Sequence, residues 1–74
     1  MMPKDIVVGA LYRHPSYPHV IYLGCGSFPY PSGKKRKFLI VLKNLLSGKY
    51  DGARVSFQNT KQSRDWWSKL HLSN

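Results

Sequence analysis

No glutamate occurs in this chain, and aspartate occurs only as Asp5, Asp51 and Asp65. No two of these lie close together in sequence, so the chain lacks the paired carboxylates that general acid–base chemistry uses. Cysteine is nearly as scarce. Cys25 stands alone, which excludes an intramolecular disulfide framework and makes a reducing compartment the expected setting. Cys25 with His14, His19 or His71 gives neither a paired-cysteine nor a His-x3-His signature, so no metal, cofactor or nucleophile–base pair is expected. Gly33-Lys34 matches the Gly-Lys pair of a phosphate loop, but position 28 is phenylalanine where that motif needs glycine, and Lys35 replaces its Ser/Thr. Long apolar runs are missing too. Segment 6–12 is too short for a signal-peptide core or a membrane span, and there is no basic amphipathic helix of useful length for a membrane surface. The expectation is a protein that is not an enzyme, has no small-molecule substrate, and works in the cytoplasm, beside the nucleoid or, in a eukaryotic host, in the nucleus.

Positive charge is abundant. Twelve Lys and Arg give a net charge of +9 over 74 residues, a field that draws polyanions from solution. Residues 1–33 hold Lys4 and Arg13 against Asp5, whereas residues 34–74 hold ten basic residues against Asp51 and Asp65, so the two parts carry +1 and +8. Ten aromatics and a hydrophobic content of 42% exceed what a disordered basic tail would carry. The chain is expected to fold as one domain over 1–74, with modest stability, since domains this small bury only about 60% of their unfolded surface.

Segment 6–12 is β-branched and aromatic, lacks helical spacing and lies between Pro3 and His14-Pro15, so it predicts a strand. Pro15-Ser16-Tyr17-Pro18 predicts a turn, because proline presets its own φ and pushes the preceding residue away from helix. Residues 19–23 predict a second strand, with Gly24-Cys25-Gly26 marking a bulge or a close backbone approach. Residues 27–33, with Pro29 and Pro31, predict an exposed loop leading into the basic run. Segment 37–43 is apolar on both parities, as for a central strand covered on both faces. Ala53, Val55 and Phe57 alternate with Arg54, Ser56 and Gln58, which places an apolar row inward and a polar row outward. Between these strands Ser47-Gly48 predicts the hairpin turn, with a bulge near Asp51-Gly52. Segment 63–70 predicts a short helical turn capped by Ser63, with Asp65 in its first turn and Trp66 and Leu70 at i, i+4, followed by a terminal extended stretch.

Four or five short strands with tight connections make the expected fold mainly β: a small, strongly bent antiparallel barrel with a short helical turn near the C-terminus. Gly9-Ala10-Leu11-Tyr12-Arg13-His14 followed by Tyr22-Leu23-Gly24 loosely resembles the opening of small bacterial and phage SH3-like domains, including Tudor-like and KOW-like barrels. The resemblance covers about the first third of the chain. It implies an SH3-like barrel and carries over no functional residue.

Lys34-Lys35-Arg36-Lys37 is suited to phosphate contact, because cations docking on a nucleic-acid backbone release condensed counterions. A solvated loop and a nuclear localisation signal are the plainer explanations of such a run. Arg54 on the outward row, with Lys43, Lys49, Lys61 and Arg64, would extend these four into a basic strip if folding brings them together. Tyr17, Phe28 and Tyr30 could stack on unpaired bases, or plug the ends of the barrel. Trp66 and Trp67 are adjacent, so both cannot point directly into one core, and the more exposed one could anchor a protein partner. The expected partner is nucleic acid, DNA or RNA, held by its backbone with weak sequence preference. The alternative is an acidic host protein bound by a small phage or bacterial regulator through a basic surface and an exposed tryptophan.

Overall fold

A computed structural model describes residues 5–33 and 35–73. Five strands, β1 (Leu11–His14), β2 (Tyr17–Pro29), β3 (Lys35–Asn44), β4 (Arg54–Ser56) and β5 (His71–Leu72), form one antiparallel sheet in the order β4-β3-β2-β1-β5. The helix α1 (Lys61–Ser68) lies between β4 and β5. The protein is therefore mainly β, with one short helix. Among the described residues no ladder joins β4 to β5, so the sheet is not closed into the barrel expected above. No helix among the described residues is long and apolar enough to cross a membrane.

β2 holds the sheet together, pairing with β1 on one side and β3 on the other. Thirteen straight residues would span about 43 Å, longer than the 38 Å longest extent of the molecule. Register shifts at Ile21/Tyr22 and Cys25/Ser27 mark where the β2–β3 ladder is interrupted, and bulges of this kind bend a strand and increase its twist. Gly24 is also the close approach that its neighbours suggested. Its N–H donates to the Ala10 carbonyl (2.8 Å), its carbonyl accepts from Gly9 (2.9 Å), and a Cβ here would collide with the Val7 carbonyl oxygen.

Segment 6–10 is not strand, contrary to expectation. Val8 and Gly9 turn there, with Gly9 at φ +88°, and only Leu11 onward enters the ladder. The second correction concerns 27–33, since β2 continues to Pro29 and pairs with the basic run: Ser27 opposes Lys37, Phe28 opposes Arg36 and Pro29 opposes Lys35. Lys35, Arg36 and Lys37 thus begin a strand instead of tipping a loop, and Lys34 lies outside the described residues. A turn closed by Gly33 N–H donating to the Tyr30 carbonyl (2.8 Å), with φ +79° at Gly33, makes the connection.

Asn44 anchors the β3–β4 connection. Its side-chain oxygen accepts from Leu46 and Ser47 N–H, and its carbonyl accepts from Gly48 N–H (2.7 Å) at the expected turn. Near the expected bulge, Asp51 Oδ1 accepts from Ala53 N–H (2.9 Å). The period-2 pattern 53–58 contributes a shorter strand than it suggested, β4 being three residues long.

α1 starts earlier than expected. Thr60, not Ser63, is the N-cap, its Oγ1 accepting from Ser63 N–H (3.1 Å), while Ser63 Oγ accepts from Gln58 N–H (3.0 Å). Asp65 lies beyond the first turn and pairs with Lys69 at 3.4 Å. Trp67 on α1 and Leu70 just beyond it join a core with Ile6, Tyr12, Tyr22 and Leu39. Leu39 opposes Gly24 on β2 and Val55 on β4, so this is the inward face of the sheet. Tyr12 is buried yet satisfied, its hydroxyl accepting from Val7 N–H (2.9 Å).

Candidate nucleic-acid interface

Strand alternation puts Arg36, Phe38 and Ile40 on the side of β3 opposite Leu39. That outer side is not covered by α1. Phe28 faces Arg36 across the β2–β3 ladder, and Arg54 and Ser56 face Ile40 and Phe38 across β3–β4. An aromatic cluster results. Phe28 meets Phe38 edge to face at 5.0 Å, and Tyr30 stacks near Phe38 at 6.1 Å with 25° between planes. Each outer ring carries a guanidinium: Arg36 lies 4.5 Å from the centre of Tyr30, and Arg54 lies 5.6 Å from that of Phe28. Such exposed cation–π contacts are worth about 0.5–1 kcal/mol. They hold the charge near the ring while leaving N–H groups for an anion. Phe38, at the bottom, is buried, whereas Phe28 is 46% exposed.

Beside this cluster is a cavity of about 330 Å³ lined by Lys35, Arg36, Phe57, Gln58, Asn59 and Thr60. It sits where the first residues of β3 meet the segment entering α1, fixed by Phe57 N–H donating to the Lys37 carbonyl (2.8 Å). Arg64 Nη1 donates to Asn59 Oδ1 (2.9 Å), so the helix contributes a cation near the cavity wall. Lys61 is exposed at the start of the same helix. The carboxylates are engaged elsewhere: Asp65 with Lys69, and Asp51 with Ala53 N–H.

The expected basic strip divides in two. Lys35 and Arg36 line the cavity, Arg36 and Arg54 sit over the rings of the cluster, and Arg64 bonds the cavity-lining Asn59. Lys61 follows the cavity-lining Thr60 in sequence, and Lys37, half-buried, alternates onto the inward side of β3. Lys43 is eight residues beyond Lys35 along β3, about 26 Å at the usual strand rise, and three beyond Ile40, which Arg54 opposes. It lies 5.5 Å from the Tyr50 ring, in the neighbourhood of Lys49.

The aromatic candidates also separate. Phe28 and Tyr30 belong to the outer cluster; Tyr17 is exposed at the other end of β2, 6.0 Å from His14. Trp67 is 1% exposed and cannot stack on a base or meet a partner. Its ring packs edge to face on Phe57 at 5.8 Å. Trp66 is the half-buried one, but one of its faces is occupied: His14 stacks on it at 4.3 Å and 12°, and Tyr22 meets it edge-on at 5.6 Å. His14 is itself buried, with both ring nitrogens paired. Nδ1 accepts from Ser16 N–H (3.1 Å), so Nε2 carries the proton and donates to the Trp66 carbonyl (3.0 Å). Burial lowers the His14 pKa below its ordinary 6.5.

Three features were missed by sequence reading. Leu45, Leu46 and Tyr50 are exposed together in the β3–β4 connection, Leu46 at 80% and Tyr50 at 76%; Ser47-Gly48 was the signal that these leucines sit beside a turn. The cavity-lining role of Asn59 and Thr60 had no linear signal. The pairing of His14 with Trp66, 52 positions apart, had none either. Among the described residues no group of three or more His, Cys, Asp or Glu could hold a metal ion. No protein-family model matches the chain, and no curated protein or solved structure is significantly similar to it.

Proposed function

We propose that this protein is a non-enzymatic nucleic-acid-binding module that holds the phosphate backbone on a basic face with weak sequence preference. The observation that carries the reading is the pair Arg36 and Arg54, each set over an aromatic ring on a sheet side that the helix leaves open. Backbone attraction dominates, because among the described residues the one helix, α1, packs its Trp67 into the core and the cations outnumber carboxylates fourfold. A bent β2 shared between two ladders, and a last strand that returns to β1 after a helix, support an SH3-like framework for this surface. The proposed setting is the cytoplasm, wherever the nucleic acid lies.

Salt titration of binding to duplex DNA, single-stranded DNA and RNA tests the reading. Affinity should fall linearly on a log–log plot, with a slope of about −0.9 per neutralised phosphate on duplex and about −0.7 on single strands. Replacing Arg36 and Arg54 with glutamine should flatten the slope. Undetectable binding to all three at low salt removes the proposal.

A second reading rests on a different end of the molecule. Leu46 and Tyr50 project beside Lys43 and Lys49, a combination of apolar contact and positive charge suited to an acidic protein, with charge steering the encounter. Here the anchor moves from the tryptophans to the β3–β4 connection. Affinity capture after nuclease treatment discriminates: a partner retained by the native chain and lost with Leu46→Asp favours this reading, while loss of all captured protein on nuclease treatment favours the first.

A further inference from the structure

We infer that the cavity between the start of β3 and the entry to α1 receives one unpaired nucleotide, making single-stranded nucleic acid the preferred ligand of this surface. The inference rests on the nucleic-acid reading above and names the form of its ligand. Three kinds of group meet in the cavity. Lys35 and Arg36 supply positive charge on one side, Phe57 supplies an aromatic wall, and Gln58 and Asn59 supply side-chain amides. These match the parts of a nucleotide in turn: phosphate, base face and the mixed donor and acceptor groups of a base edge. About 330 Å³ lies near the lower end of the ~300–1,000 Å³ typical of small-ligand sites, room for one nucleotide unit and not for a stack of several.

The walls are held in place. Phe57 is braced edge to face by Trp67 at 5.8 Å, and Ser63 Oγ fixes the Gln58 backbone at 3.0 Å. The Asn59 side-chain oxygen accepts from Arg64 (2.9 Å), which leaves its NH₂ end to donate. Arg36 both lines the cavity and sits over Tyr30, so it joins the cavity to the ring cluster that continues through Phe38 and Phe28 to Arg54. A strand with one base in the cavity can lay its next phosphates on these guanidiniums and its next base against the half-exposed Phe28.

Duplex cannot use this arrangement. Its base faces are stacked and its pairing edges taken, and extruding a base costs a few kcal/mol. An unpaired strand pays no such cost, and aromatic contact adds about 1–3 kcal/mol per base. The geometry therefore discriminates by strandedness even where the charges do not.

Fluorescence anisotropy with a short labelled DNA strand of mixed sequence, the RNA of the same sequence and the corresponding duplex tests the inference at matched salt. Single strands should bind about tenfold or more tightly than duplex. Phe57→Leu, which keeps an apolar wall without the aromatic face, and Gln58→Ala, at an exposed position, should each weaken single-strand binding several-fold while leaving duplex affinity and the salt slope unchanged. Far-UV circular dichroism and the Tm of each variant confirm that the fold is retained; if Phe57→Leu is unfolded, Gln58→Ala decides. Equal affinity for both forms, or variants that weaken both alike, overturns the cavity inference and leaves backbone binding standing. Absence of binding to any of the three, with or without an acidic protein partner, overturns both.

Discussion

The two sides of the sheet are both aromatic, and they use their rings in opposite ways. On the inner side Tyr12, Tyr22, Trp66 and Trp67 meet under α1, and two titratable groups there are biased toward their neutral forms: burial lowers the His14 pKa, and burial followed by the neighbouring Tyr17 raises that of Tyr22. On the outer side Phe28, Tyr30 and Phe38 lie beside the guanidinium groups of Arg36 and Arg54. The difference follows from what each neighbour can tolerate. A guanidinium retains its charge in any protein environment, so it must stay near water, whereas an imidazole can give up its proton and go under the helix. Aromatic content alone therefore says little about function here; the company of each ring says more.

Trp67→Ala should have the largest effect. Removing a ring that is 1% exposed and touches both Phe57 and Trp66 is expected to cost about 3–5 kcal/mol, a large part of the ~5–15 kcal/mol that holds a domain folded. Urea denaturation followed by circular dichroism measures it. A midpoint close to that of the native chain would mean that α1 is not part of the core, and the contrast between the two sides would collapse.

The neutrality of His14 gives the next test. Its folded-state pKa lies below the unfolded value, so as the pH falls past about 6.5 the unfolded chain takes up the proton first. Stability should be fully present above that pH and should decline below it, with a single proton tilting it by at most about 1.4 kcal/mol per pH unit. The groups facing His14 act in both directions. Lys69 and His71 oppose its protonation, while Asp65 and the Trp66 carbonyl favour it, and burial outweighs them. Protonation would also put a hydrogen on Nδ1, where Ser16 N–H now donates. Comparing urea midpoints at about pH 7.5 and about pH 5, the native chain should lose stability and His14→Gln should lose much less. An unchanged pH response in the variant would assign the effect to other groups.

Much of the sheet was legible because it rests on short-range chemistry. The turn at Pro15-Ser16, the close approach at Gly24, the β3 core and the turn at Gly48 each have a local cause in proline, glycine or an apolar run. Pro15-Ser16 is only the first half of the expected turn 15–18, since Tyr17 and Pro18 already belong to β2. Segment 6–10 misled because its β-branched residues suit a strand, yet among the described residues no strand ladder takes up Ile6, Val7 and Val8, and Gly9 turns the chain toward Gly24. Proline punctuation misled at 27–29, where pairing with Lys35, Arg36 and Lys37 outweighed it. Ser63 is the stronger cap by residue type, but its Oγ accepts from Gln58 N–H, which needs the β4 exit nearby, and Thr60 caps the helix instead. For the candidate site, Arg36, Arg54, Phe28 and Tyr30 could be named from residue type. Their meeting, and the exclusion of Lys43 and Lys49 from it, depended on the register of three strands.

That register also sets the smallest of the expected effects. Phe28 is of a type with Trp67 but 46% exposed, and fully burying such a ring is worth about 1.5–3 kcal/mol, so Phe28→Ala should cost about 1 kcal/mol. Part of that cost belongs to Phe38, which loses its edge-to-face neighbour at 5.0 Å, and part to Arg54, which loses the ring beneath it. The same urea experiment measures it, and the ratio to Trp67→Ala matters more than either value. A loss as large as that for Trp67→Ala would show the outer cluster to be a second core, its rings committed to the fold and withdrawn from any ligand. A small loss, with Arg54 released from its ring, leaves the outer face as a surface whose aromatic groups the fold can spare.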